Sequence, residues 1–150
     1  MTRPLLVVRV GPYDFGAPIS AVTEILSRPE VTALPRVPQV VAGMAVVRGQ
    51  PLAVLSLRPL LGLERSDSPL ALRWQWEHGV VLVTVDEVDS LDEVGAALPA
   101  EVWAGLIPAS VAPWVTAGHR YRHGWLWEWP VDLPELLLRA ATMGTGQVAS

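Results

Sequence analysis

Proline and glycine cut this chain into apolar runs that suit strands and single helical turns and little else. Its 150 residues include 14 prolines and 12 glycines. No apolar run approaches the roughly 20 residues that a membrane-spanning helix needs. Yet 51% of the residues are apolar, which is enough for a sizeable core in one globular domain spanning residues 1–150. Many short strands joined by Gly/Pro turns imply a mainly β architecture, a barrel or a sandwich, and the pattern alone does not choose between them.

Leu5–Val10 reads as a buried strand, Gly11-Pro12-Tyr13-Asp14 as a turn, and Tyr13–Pro18 as the returning arm of a hairpin. Ile19, Val22 and Ile25/Leu26 recur at helical spacing and predict a short helical turn that Pro29 stops. Arg28 to Gln39 holds Pro29, Pro35 and Pro38 and reads as an extended connection. Val40–Arg48 and Pro51–Leu57 flank Gly49-Gln50, the expected hairpin turn, and Pro59-Leu60-Leu61 makes one helical turn before Gly62. The polar run Glu64–Pro69 divides the chain into approximate halves, 5–64 and 69–141, which are free to exchange strands. Leu70–Trp76 and Val80–Val88 follow as strands around Glu77-His78-Gly79. Ser90 to Ala112 reads as loop with short helix, and Pro113–Arg122 with Gly124–Trp129 as a last strand pair. A helix over Leu133–Ala141 starts near Asp132 with Pro134 in its first turn, and Gly144 to Ser150 is expected to fray. No period of roughly 20–50 residues marks a solenoid.

Cysteine is absent, which excludes a disulfide framework and thiolate metal sites. All 11 basic residues are arginine, and the net charge of −4 opposes electrostatic binding to nucleic acid or anionic lipid. Met1-Thr2-Arg3-Pro4 leads into no secretory h-region, so the expected location is cytoplasmic.

The stretch from Ala17 to Glu64 carries the most specific pattern. Val22-Thr23-Glu24-Ile25 is followed by Leu34-Pro35 with Pro38, then by Gly43-Met44, and then by Val47-Arg48-Gly49 leading into the Pro51–Leu57 strand. This order and spacing resembles the CheW-like family of chemotaxis coupling proteins. In the second half, Val81–Val88 resembles the family's strand ending in a VDxV element, and Trp114–Gly118 and Trp125–Leu137 sit where the family has its final strands. The resemblance covers roughly Leu5 to Leu138. It implies two SH3-like five-stranded β-barrel subdomains packed together with short helices. It also implies a non-catalytic scaffold that couples the cytoplasmic tip of a methyl-accepting chemoreceptor to the regulatory domain of a CheA-type histidine kinase, or to another CheW-like protein.

Position by position, Val22, Glu24 and Ile25 match the family's V-x-E-I element near the receptor contact. Gly43 and Met44 match a glycine and an apolar residue that open the next strand, and Arg48-Gly49 match its Arg-Gly pair. Three departures mark a divergent member. Val47 stands where the family has Asn, Ser56 where it has Asp, and Trp129-Pro130-Val131 where it has an unbroken strand. These departures raise a second expectation, an accessory protein that keeps receptor or CheW-like partners and loses kinase binding.

Each candidate side chain also has a plainer role. Glu24 contacts a receptor helix or is a solvated carboxylate. Arg48 meets a partner or satisfies its own turn. Val22, Ile25 and Met44 line a partner groove or the core. Trp125, Trp127 and Trp129 alternate on one face, as do Trp74 and Trp76. They form either a packed barrel wall or a second, aromatic interface. Asp86-Glu87, Asp89 and Asp92-Glu93 could ligate a hard cation but lack calcium-loop spacing, and read better as a solvated strand end. His119 and His123 stand at i,i+4, a metal face only on a helix, whereas the surrounding pattern is strand and turn. They leave a small metal-dependent enzyme as a remote third expectation. No nucleophile elbow, P-loop or dinucleotide fingerprint is present, and no cofactor, metal or catalytic residue is expected.

Overall fold

The period-two alternation of the first strand determines how the protein is layered. In the computed structural model, which describes residues 3–66, 68–122 and 124–149, β1 (Arg3–Val10) sends Leu6, Val8 and Val10 into one apolar layer. Leu5 and Val7, on its other face, enter a second layer with Val94 and Leu126. β7 (Gly79–Val85) does the same in the other sheet. Val81, Val83 and Val85 join the first layer, and Leu82 joins a third layer with Ala45, Leu52, Val54 and Ala71. The first layer is the large core between two sheets, and the other two fill the concavity of each sheet.

Sheet A has the order β8-β1-β2-β10-β9, with β2 at Tyr13–Pro18, β8 at Glu87–Val94, β9 at Ala117–Tyr121 and β10 at Gly124–Glu128. Sheet B has the order β3-β6-β7-β5-β4, with β3 at Val22–Ser27, β4 at Val41–Val47, β5 at Gln50–Leu55 and β6 at Leu70–Trp76. The fold is mainly β, with two five-stranded subdomains packed together. Each ladder stays open between its two end strands, so neither subdomain is closed by backbone bonding alone.

The two sheets are built alike. Each has three antiparallel pairs and one parallel pair at the same place, β5 beside β7 (Val54↔Leu82) and β10 beside β2 (Trp127↔Phe15). In each, the first edge strand carries a bulge, at Thr23 in β3 and at Asp89 in β8. The equivalence runs β3–β7 onto β8–β10 followed by β1–β2. Sheet A is therefore assembled from both ends of the chain.

Several local expectations are corrected. Ile19–Leu26 is not a helical turn. Val22–Ser27 alternates half-buried and exposed residues and pairs with β6, because its β-branched Val22, Thr23 and Ile25 fit a pleated edge. The hairpin turn is Arg48-Gly49 rather than Gly49-Gln50, since Val47 pairs with Gln50 and both turn residues take positive φ, +49° and +82°. Strand β7 ends at Val85. Asp86 turns the chain, and Glu87–Val94 forms β8, which pairs with β1 from Arg3 to Arg9, so that the part from Ser90 onward is strand where loop was expected. Ala112–Trp114 is a 3₁₀ turn and β9 begins only at Ala117. A four-residue helix, α1, spans Ala100–Trp103. The C-terminal helix α2 runs over Leu133–Ala149, past the expected end at Ala141, with no proline to interrupt it.

Asp86 is not a solvated strand end. It accepts the Gly11 N–H and an Arg58 N–H, each at 2.7 Å, and the Ser68 hydroxyl at 3.3 Å. It thereby ties the β1–β2 turn to the 3₁₀ turn Arg58–Leu61 and to the inter-half linker.

At one end of sheet A, His119 and Glu128 are buried together. His119 Nδ1 lies 3.0 Å from the Gly95 carbonyl and must donate to it, and Nε2 lies 2.9 Å from Glu128 Oε1. Arg3 donates to the second Glu128 oxygen at 2.7 Å. Burial by itself would raise the Glu128 pKa. The His119 hydrogen bond and the Arg3 charge outweigh it and hold the carboxyl below its ordinary value. A lowered folded-state pKa contributes stability above the unfolded value of about 4.3, and that contribution is lost as pH falls through the folded value. Glu128→Gln is expected to cost about 3 kcal/mol at pH 7, as for a broken buried pair. The gap from wild type should narrow below about pH 4. Urea unfolding of both proteins at pH 7 and pH 3.5 checks this. An equal gap at the two values contradicts it.

Candidate functional site

The edge strands of sheet B bring together the residues of the Val22–Gly49 pattern. β3 and β4 lie at opposite ends of the hydrogen-bonded order, yet Glu24 on β3 meets Arg48 at the β4–β5 tip. One guanidinium nitrogen of Arg48 donates to Glu24 Oε2 at 2.9 Å and the other donates to Oε1, a two-point fork. Side chains thus span the gap that the ladder leaves open. Arg73 on β6 adds to the seam, donating to Thr23 Oγ1 at 3.1 Å and to Gln50 Oε1 at 3.2 Å. The Arg48 hydrogen bond, opposed by slight desolvation, lowers the Glu24 pKa, and the Glu24 carboxylate raises that of Arg48, so the pair is charged at neutral pH.

Three large apolar side chains on these two edge strands are exposed. Ile25 is 45%, Met44 36% and Val46 65% exposed. Val22 is half-buried and packs against the inter-sheet core. Gly49 is exposed and supports the turn with its positive φ. Gly43 is buried, and its missing side chain matters. A Cβ there would strike the carbonyl of Thr32, which belongs to the Pro-rich connection. That close approach lets Thr32 and Met44 exchange two backbone hydrogen bonds, of 2.8 and 2.9 Å, that cover part of the β4 edge. The Glu24–Arg48 pair thus joins the two edges of sheet B, with Ile25, Met44 and Gly49 exposed on those edges, whereas Val22 packs into the core and Gly43 is buried under Thr32.

Sheet A carries the counterpart seam, which sequence reasoning missed. Arg122, at the β9–β10 tip with φ +52°, pairs with Asp89 of β8 at 2.9 Å, as Arg48 at φ +49° pairs with Glu24. Tyr121 reinforces it, donating to Asp92 at 2.6 Å. That bond, with a second from Ser90, lowers the Asp92 pKa. Arginine at a hairpin tip, with a carboxylate on the bulged edge strand, is the signal that could have found it. It is visible only once the strands are paired.

Of the three tryptophans proposed as a second interface, Trp127 and Trp129 are enclosed in the inter-sheet core, and only Trp125 reaches the surface. The correction has a plain cause. The face on which they alternate is the one that meets sheet B. His119 is buried against Glu128 with both ring nitrogens engaged, and His123 lies outside the described residues.

The model of the family described as CheW-like domain matches residues 4–101, more than half of the chain. A solved structure of the scaffolding protein TtCheW from Thermoanaerobacter tengcongensis superposes with a TM-score of 0.70. It is 14% identical and covers 87% of this chain and 90% of its own, a likeness of fold. No curated protein matches the chain.

The Thr32–Met44 bridge gives a test of how the edge is held. Gly43→Ala is expected to destabilise by about 1–3 kcal/mol, as overpacking does. It should also raise amide exchange at Met44, while Gly62, which closes the 3₁₀ turn and whose Cβ would meet open space, tolerates Ala at a smaller cost. Hydrogen exchange read residue by residue checks it. Unchanged protection at Met44 contradicts it.

Proposed function

From the premise that this chain belongs to the CheW-like domain family, we propose that it is a non-catalytic adaptor of a bacterial chemosensory array. It couples the cytoplasmic tip of a methyl-accepting chemoreceptor to the regulatory domain of a CheA-type histidine kinase. The observation that carries this reading is the Glu24–Arg48 fork set among exposed Ile25, Met44 and Val46. Helix recognition by a groove uses apolar anchors at the centre and charges that fix register at the rim. The receptor tip is helical in the family, and this end of sheet B offers both. Adaptor work is a matter of geometry and of shifting a partner's conformational equilibrium, and it needs no reacting group. The whole chain acts as one unit, because β1–β2 and β8–β10 must come together to form sheet A. Among the described residues no helix is long and apolar enough to cross a membrane, and we place the adaptor in the cytoplasm beneath the receptor.

A second reading has an observation of its own. Strand β10 stops at Glu128, and Pro130, which has no N–H to donate, ends the pairing there. The Val131 carbonyl instead accepts the Trp74 indole N–H at 2.7 Å. A partner that reads an unbroken last strand finds a shortened one. The chain would then be an accessory protein that binds receptor or another CheW-like protein without the kinase.

Arg48→Glu and Glu24→Arg are each expected to leave the unfolding transition close to wild type, since an exposed ion pair contributes little. Each should weaken receptor-tip binding by about tenfold or more, as disrupting charged contacts at an interface does. The double swap, which rebuilds the pair with reversed polarity, separates two roles. Restored binding means the fork holds the edge in shape. Continued loss means the partner reads the charges themselves. Calorimetric titration of the receptor tip and the kinase domain measures both. Unchanged affinity for both partners in both single variants refutes the assignment of this surface.

A further inference from the structure

Arg73 of β6 is an arginine that the fold does not require. The two sheets are built alike, so its position has a counterpart. In each sheet the bulge on the first edge strand is followed by one register pair, Glu24↔Arg73 in sheet B and Ser90↔Val7 in sheet A. Val7 is a fully buried valine of the layer inside sheet A. Arg73 instead puts a half-buried guanidinium at this point of sheet B, across from Leu82 of the apolar layer there. Its hydrogen bonds go to neutral oxygens. One guanidinium nitrogen donates to Thr23 Oγ1 at 3.1 Å and the other to Gln50 Oε1 at 3.2 Å. Thr23 in turn donates to the Arg73 carbonyl at 3.2 Å. Among the described residues, Arg73 has no ion pair of its own. Two guanidinium groups, Arg48 and Arg73, act on the Glu24 carboxylate, and Glu24 is the charge that acts on Arg48. The next carboxylate along the chain, Glu77, lies beyond β6, 86% exposed beside His78. The seam therefore holds two positive charges against one negative, in a chain whose net charge is −4.

We propose that Arg73 receives a carboxylate of the partner docked at this seam, an aspartate or glutamate side chain of the chemoreceptor's cytoplasmic tip. The inference deepens the receptor reading and rests on it. A half-buried cation without a counterion gives up hydration for little return, and a docking carboxylate supplies what is missing. Thr23 and Gln50 occupy two of the guanidinium N–H donors and hold the group still, and the remaining donors suit a carboxylate's two oxygens. A group held in place before binding loses little freedom on binding. A partner that buries Arg73 under an apolar or basic side chain leaves the cation unpaired, so the residue selects among partners as well as holding one.

The test is calorimetric titration of the full chain with the receptor's cytoplasmic tip at low and moderate salt, beside urea unfolding of each variant. Arg73→Val installs the residue of the equivalent position. It should unfold at a urea concentration equal to or above that of wild type, bind the tip about tenfold more weakly, and lose part of the salt dependence of binding. A purely structural arginine would instead show its loss in unfolding. Arg73→Lys keeps the charge without the planar fork and should recover part of the affinity. Arg73→Gln, close in length, repeats the comparison should Arg73→Val fail to fold. The tip's acidic residues are then changed one at a time to their amides. One of these changes should weaken binding to wild type about tenfold and leave binding to Arg73→Val unchanged, the mark of a direct pair. Equal tip affinity in wild type and the neutral variants overturns the inference and leaves the receptor reading standing, as does a set of amide changes that all act alike on both proteins. A wild-type chain that does not bind the tip overturns both.

Discussion

A column of three rings joins the two sheets, and the outward surfaces depend on it. Phe15 of β2 stacks on Trp129 at 4.7 Å, and Trp129 meets Trp74 of β6 edge-on at 6.0 Å. All three are fully buried. Large rings of this kind bring more apolar area, and more geometric selectivity, than aliphatic side chains do. Trp74 is further held through its indole N–H on the Val131 carbonyl. With the sheets fixed at this column, the inter-sheet face of each is committed to the core. The edge strands β3 and β4 of one sheet, and β8 and β9 of the other, are left at the surface.

Those edges share one physical problem, an open ladder with unpaired backbone groups. Both sheets solve it with side chains. An arginine at a left-handed hairpin-tip position reaches a carboxylate on the bulged edge strand, Arg48 to Glu24 and Arg122 to Asp89. Arginine suits the position because its planar, permanently charged fork grips a carboxylate from a long stem. A seam closed this way leaves charged and apolar side chains facing outward at the place where the strands end. That is the kind of surface an adaptor needs.

Much of this was legible in the sequence. The apolar runs marked most strands, and the spacing from Val22 to Gly49 pointed to the family. What was hidden has physical reasons. Ile19, Val22 and Ile25 satisfy helical spacing, but β-branching and pairing with β6 prevailed over that period, a tertiary decision invisible in a short window. The pairing of Glu24 with Arg48 spans 24 positions and follows from the curl of the sheet. Asp86 looked like one carboxylate in an acidic run, and only the fold brings Gly11 and Arg58 to it. The likeness of the two sheets escapes a linear scan because its second copy begins at β8 and ends at β2. The alternation of Trp125, Trp127 and Trp129 located a face correctly, but alternation does not say whether a face meets water or the other sheet.

The proposed coupling requires one chain to hold two partners at once. The direct measurement is a bridging capture. The receptor's cytoplasmic tip is immobilised, and retention of the kinase regulatory domain is measured with and without this protein. Retention that requires the protein and rises and then falls with its concentration, as a bivalent linker demands, is the predicted result. Binding of the protein to the immobilised tip with no retention of the kinase domain at any concentration would contradict the coupling function.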